Sequence, residues 1–418
     1  MSTKTGNMRR MILSGGVATL ITLGMLGAAR ADIASDQAAA ILIFPKLVVD
    51  TGGILGPPTD SEVQITNTSN SVVAARCFLI NATSFCSNSP NDSPIACTPE
   101  AVANGAGAGA GGCDTAATCI PQWTENDFRM TLTKRQPVSW KVSEGRLSDF
   151  PLSSSSSVPA AQTDPFIGEL RCVEVDPTTF QPIAGFNPIN NGAGDLKGEA
   201  TIVSAESGTG KVDARKYNAI GIQATGNNDG NDTLNIGGPN AEYSGCPNVL
   251  IVDHLFDDAN VETGGPTTGT VRTDLTITPC GADINQQIPN TVTLQFLVFN
   301  EFEQRFSTST RITCSKEVQL SNIDTRPTAT DNASSIFNVN VQGTFAGQTR
   351  IRPVADTANG IGDTVLAVAE EFWDCSSGPT PKGAATGRCS AAANVHFQGT
   401  RDPGDTMVLP SDNPPTIP

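Results

Sequence analysis

Two histidines, two tyrosines and three tryptophans among 418 residues leave this chain short of the side chains that most often carry chemistry. Histidine is the group best placed for acid–base work near neutral pH, and only His254 and His396 are present, far apart in sequence. A three-histidine zinc site is therefore excluded, and the spacing around His254 does not support a mixed histidine–carboxylate one. No two of the eleven cysteines stand as C-x-x-C, which argues against a zinc ribbon, a thioredoxin-type redox pair and a c-type haem site. No G-x-S-x-G occurs, so a nucleophile elbow of the α/β-hydrolase kind is absent. No stretch of a dozen residues sustains a helical apolar period with caps.

Positive charge is scarce as well, and one cluster of it begins the chain. Lys4, Arg9 and Arg10 lead into an acid-free apolar run from Met11 to Gly27, closed by Ala29-Arg30-Ala31 before Asp32. This reads as an export signal with an A-x-A-like cleavage site. Ser14, Gly15, Gly16, Thr19 and Thr22 dilute the run too much for a transmembrane helix, and no lipobox cysteine stands near the cut. The Arg9-Arg10 pair leaves both the general and the twin-arginine export routes open. The expected location is periplasmic, cell-surface or extracellular, with nothing spanning the membrane after cleavage. Removing Lys4, Arg9, Arg10 and Arg30 with the signal leaves 387 residues carrying 22 basic and 42 acidic side chains, a net charge of −20. Such a surface repels nucleic acid, whose binding begins with Lys and Arg displacing counterions from phosphate.

In an exported chain, eleven cysteines predict a disulfide framework. The local spacings point to a Cys375–Cys389 bridge and at least one bridge within the cluster Cys77, Cys86, Cys97, Cys113 and Cys119. The odd count leaves one thiol over, and connectivity stays open.

What the chain has in abundance is strand pattern broken by turns. Alternating, β-branched segments recur from Ile41–Val49 to Val395–Thr400, separated by Gly-, Asn-, Asp- and Pro-rich turns. Pro45 predicts a bend or an edge in the first strand. At 387 residues the mature chain exceeds the roughly 250–300 at which one core stops growing. The expected fold is all-β: two, or three, antiparallel immunoglobulin-like β-sandwich domains held by disulfides. The expected boundaries are a signal peptide at 1–31, an N-terminal sandwich at 32–150 with a Gly/Ala-rich insertion, a Ser-rich linker at 151–163, a larger β region at 164–410 with a break near 280–290, and a disordered tail at 411–418. The segments QITNTSN, RCFLINAT, FLVFNEFEQRFSTSTR and HFQGTR resemble stretches of uncharacterised secreted bacterial proteins with immunoglobulin-like domains. That resemblance implies export and a sandwich fold, and carries no function or site residue.

The best local candidate for a ligand is the loop from Gly226 to Gly238, where Asp229, Asn231 and Asp232 offer hard oxygen donors to calcium on a glycine-rich backbone. Asx and Gly are equally the residues of ordinary turns, and an EF-hand register would put Ile236 where a bidentate Glu belongs. Asp253-His254-Leu-Phe-Asp257-Asp258 reads as an acidic turn after a strand. Ser207-Gly-Thr-Gly-Lys211 lacks the first glycine and the final Ser/Thr of a P-loop. Glu301 with Glu303 and Glu370 with Glu371 are the paired carboxylates that a hydrolase would draw on, and on a strand the first pair would share one face. Five N-x-S/T sequons, at Asn67, Asn81, Asn91, Asn231 and Asn332, read as turn chemistry. The leading expectation is a non-enzymatic exported protein with a structural, adhesive or extracellular-assembly role, with an extracellular protein or glycan as partner. A carbohydrate- or calcium-binding secreted module is the alternative, and a carboxylate-dependent hydrolase the second alternative.

Overall fold

The computed structural model describes residues 37–411 apart from 87–96, 98–118, 147–156, 183–193, 206–211, 226–230, 261–264, 269–270, 289, 327–331, 355–363, 375–387 and 401–403. The signal segment, the Gly/Ala-rich insertion, most of the Ser-rich linker and nearly all of the C-terminal tail lie outside the described residues.

Strand β1 (Ile41–Val49) is apolar on both sides, and the structure gives it neighbours to match. It lies between β11 (Ile220–Ile222) and β8 (Phe166–Val175), and the sheet continues through β3 (Val73–Asn81) to β6 (Thr124–Leu132), all antiparallel. Opposite Glu169 of β8, β1 carries two residues, Pro45 and Lys46, so the predicted bend is a β-bulge. A bulge tolerates the missing proline N–H. The second sheet runs β10 (Val212–Asn218), β9 (Leu196–Ala205), β2 (Thr59–Asn67), β7 (Pro137–Lys141). The third is small: β12 (Thr233–Ile236), β25 (Asp405–Val408) and β17 (Ala282–Asp283). The fourth orders β19 (Arg305–Thr313), β18 (Thr291–Asn300), β21 (Ala346–Val354), β13 (Val249–Leu255) and β24 (His396–Gln398). The fifth orders β20 (Lys316–Gln319), β16 (Arg272–Pro279), β22 (Val365–Asp374) and β23 (Arg388–Asn394). Two ribbons, β4 (Ser84–Cys86) with β5 (Cys119–Pro121) and β14 (Ala259–Asn260) with β15 (Gly265–Thr268), complete the strands. Among the described residues the one α-helical turn, α1 (Val339–Gln342), is capped by the Asn338 side chain and ended by Gly343 at φ 65°.

Three apolar cores bind neighbouring sheets. The first lies between sheets one and two, where Leu42, Phe44 and Leu170 meet Val63, Trp140 and Ile202. The second covers the other face of the first sheet, where Ile41, Ile43 and Phe78 meet Leu234, Ile236 and Met407 of the third. The third core joins sheets four and five through Leu294, Phe296, Leu275 and Ile277. Phe397 of β24 packs on both the second and third cores. The fifth sheet in turn reaches the first two: β23 runs along β10, where Asn394 Nδ2 donates to the Asn218 carbonyl at 2.7 Å.

The protein is therefore all-β, but the expected immunoglobulin-like sandwiches are not what it forms. Its small sheets are arranged as a five-bladed β-propeller. An immunoglobulin-like domain closes two sheets within roughly 100 residues. Here β1 pairs with strands that lie more than a hundred residues further on, across the stretch expected to be a linker. Residues 31–418 group as one unit. The strand orders are crossed rather than sequential, so no repeat in the sequence marks the blades.

Candidate functional site

The bulge at Pro45–Lys46 sends a lysine into the contact between the fifth sheet and the first two. Along β16 the residues alternate: Thr273, Leu275 and Ile277 take one face, Arg272, Asp274, Thr276 and Thr278 the other. Across the ladder, Asp274 lies opposite Glu370 of β22, and Thr276 opposite Glu317 of β20. Lys46, 3% exposed, places its Nζ against Glu370 and 2.6 Å from Glu317. The other Glu370 oxygen accepts from Arg215 Nε of β10 at 2.8 Å. Arg215 also reaches Asp213 at 3.2 Å and Ser204 at 3.1 Å, and Asp213 accepts from Ser390 of β23. Phe372 is flanked by the guanidiniums of Arg215 and Arg272, 5.2 and 4.8 Å from its ring centre. Tyr217 closes the far side by donating to the Lys46 carbonyl and accepting the Lys46 N–H.

Burial alone would push the Lys46 ammonium toward neutrality, but Glu317 and Glu370 hold it above its ordinary value. Burial likewise opposes charge on Glu370, and there Lys46 and Arg215 prevail and lower its carboxyl. A second ionic tie crosses the same contact. Arg171 of β8 is fully buried, pairs with Glu169 at 2.7 Å, and donates to the Pro279 and Cys280 carbonyls at 2.6 and 2.7 Å. Thr278 donates to the second Glu169 oxygen.

The residues singled out in the sequence scatter. Glu370 and Glu371 are neighbours on one strand and so face opposite ways: Glu370 enters the ionic contact, and Glu371 accepts the Leu255 N–H at 3.0 Å. Glu301 and Glu303 lie beyond the end of β18, in its turn to β19, with Glu303 at φ 61°, so the strand geometry expected for them does not occur. Of the acidic segment, Asp253 is exposed while Asp257 is fully buried and accepts from Thr273, Ser321 and Gln319. Burial raises the Asp257 carboxyl to about 6 against those donors. His254 is buried beside Phe256 and Phe337, with Nδ1 donating to the Leu255 carbonyl at 3.1 Å and Nε2 accepting from Thr349 at 2.8 Å. Its burial lowers the imidazole to about 4. Strand pairing sets His396 opposite Ile251, on the face of β13 that does not carry His254.

Asp229 of the proposed calcium loop lies outside the described residues. Asn231 accepts the Thr233 N–H at 2.6 Å, an Asx turn, and the Asp232 carbonyl accepts from Leu409 at 2.8 Å. Cys77 bonds Cys172 directly across β3 and β8, and Cys246 bonds Cys280. Cys86, Cys97 and Cys389 are also disulfide-bonded, and Cys119 stands opposite Cys86 in the ribbon. Cys113 and Cys375 fall outside the described residues. Among those residues Cys314 is the free thiol, and it is buried. The Cys246 and Cys280 sulfurs lie within 4.8 Å of a buried Asp405 oxygen, a donor set that could hold a metal only with the disulfide reduced. Among the described residues no helix is long and apolar enough to cross a membrane.

Sequence reasoning missed Lys46, Arg171, Arg215, Asp274 and Glu317. The available signal was charge inside a strand buried along its length: Lys46 in ILIFPKLVV, and Glu169, Arg171 and Glu174 in FIGELRCVEV.

No family profile and no curated protein matches the sequence. Among solved structures, Thermotoga maritima 1070 aligns at 8% identity over 38% of this chain and 99% of its own, with a TM-score of 0.22. A protein of Parabacteroides distasonis ATCC 8503, described as a putative secreted protein, aligns at 9% identity over 81% of this chain and 89% of its own, with a TM-score of 0.15. Neither score carries an argument about fold or function.

Proposed function

We propose that this protein is an exported, non-enzymatic β protein with a structural or adhesive role in an extracellular assembly. The observation that supports the reading is where the reactive groups are used. Lys46, Arg171, Arg215, Glu169 and Glu370 tie sheets together from buried positions, and Asp257 and His254 are each enclosed by hydrogen bonds inside the fourth and fifth sheets. Trp123 and Trp140 are buried in the cores rather than displayed as a sugar platform. The disulfides suit an oxidising compartment. The acidic surface keeps such a scaffold soluble and away from phosphate polymers.

Cell fractionation combined with protease added outside intact cells tests this. The expected result is protein at the surface or in extracellular assemblies, cleaved without lysis. Recovery only as a soluble periplasmic monomer would contradict it.

A further inference from the structure

The contact that closes the fifth sheet on the first two holds more negative than positive charge. Asp213, Asp274, Glu317 and Glu370 meet Lys46, Arg215 and Arg272. Five of these seven pair among themselves as described above, and of the other two Arg272 Nη2 takes one oxygen of Asp274 at 2.7 Å. The other Asp274 oxygen, Oδ1, is buried without a hydrogen-bond partner, and so are Thr276 Oγ1 and Arg272 Nε. Asp274 is 7% and Thr276 1% exposed. An ionised oxygen sealed from water with no donor is costly, whereas a neutral acid removes the surplus charge and turns that oxygen into a donor. Thr276, two residues along and on the same face of β16, carries a hydroxyl that is likewise unpartnered and so open to accept that proton.

We propose that Asp274 is the proton-carrying member of this contact, and that closure of the fifth sheet on the first two is a pH-operated latch, tight when Asp274 is protonated and looser when it is ionised. The groups facing Asp274 are Lys46 from β1, Glu317 from β20, Glu370 from β22 and Arg272 on its own strand. Arg215 and Asp213 of β10 stand behind Glu370, and the Arg171–Glu169 pair of β8 meets the same face at Thr278. Burial is the largest influence on Asp274 and raises its carboxyl to about 6, against Arg272 and Lys46 and with Glu317 and Glu370. A folded-state value above the ordinary 3.8 means a proton is taken up on folding. The stabilisation is full below 3.8 and is lost as pH rises through about 6.

Hydrogen–deuterium exchange of the mature protein at about pH 5 and about pH 7.5, corrected for intrinsic rates, reads the latch directly. Protection in β10, β20 and β23 is expected to fall by about tenfold or more at the higher pH. Asp274→Asn, which mimics the neutral acid, is expected to abolish that dependence. Thr276→Val, a near-isosteric change, removes the acceptor and is expected to move the midpoint of the transition to lower pH. Protection in the wild type that does not change with pH would overturn the proposal, as would an Asp274→Asn protein that keeps the wild-type dependence. Should the Asn variant not fold, an unmoved midpoint in Thr276→Val has the same force.

Discussion

The two faces of β16 lie a side chain apart and are held by different physics. On one, Leu275 and Ile277 meet Leu294 and Phe296 of the fourth sheet in an apolar core. On the other, Asp274, Thr276 and Glu370 meet Lys46 and Arg215 in a buried ionic contact. Apolar burial is additive and forgiving, since each methylene contributes about 0.8 kcal/mol and a neighbour can relax into a gap. Buried charges behave as a set: losing one leaves its partner stranded, whereas replacing the whole set with apolar residues can cost little. The difference teaches that sheet closure here depends on completeness of a network, and core formation on volume.

Substitutions can sharpen or break that comparison. Glu370→Ala removes the buried carboxylate that Lys46 and Arg215 share, and a loss of about 3–5 kcal/mol is expected in urea unfolding. The double replacement Lys46→Met, Glu370→Leu should cost less than Glu370→Ala alone; a loss equal to the sum of the single changes would show that the contact is not an ionic unit. On the apolar face Leu294→Ala should cost about 2–5 kcal/mol, whatever the pH. His254 supplies a pH dependence of opposite sign to that of Asp274. Its lowered imidazole contributes stability that is full above the ordinary 6.5 and is lost as pH falls through about 4. His254→Gln should therefore flatten the fall in melting midpoint over that range, and an unchanged slope would assign it to another group. Ile277→Val should cost only about 0.5–1.5 kcal/mol. Lys141→Ala, which removes an exposed pair with Glu144, should leave the midpoint unmoved.

The strands themselves were legible in the sequence, because alternation and turn residues act locally. Ile41–Val49, Ile167–Asp176 and Val292–Asn300 read as strands, and the structure has strands at Ile41–Val49, Phe166–Val175 and Thr291–Asn300. Their partners were not legible. Period two tells which residues share a face, but not whether a polar face meets water or another sheet. The even-numbered face of β16 is polar, and Asp274, Thr276 and Thr278 on it are buried. Double-sided burial did leave a trace: β1 and β3 are apolar almost throughout, as a layer between two cores requires. Reading them as sandwich strands missed it. The charges that close the sheets come from positions as distant as Lys46 and Glu370, and no spacing rule links them.

The bulge in β1 also has a consequence for counting. Before it, the even residues Leu42 and Phe44 enter the first core; after it, the odd residues Leu47 and Val49 do. The extra residue works as a frameshift in the alternation, so one strand obeys two parities in succession. Deleting Pro45 or Lys46 would restore a single parity and leave Leu47 and Val49 facing the core they fill. A shortening by one residue there should thus spare the apolar faces and remove the bulge that sends Lys46 toward Glu317 and Glu370.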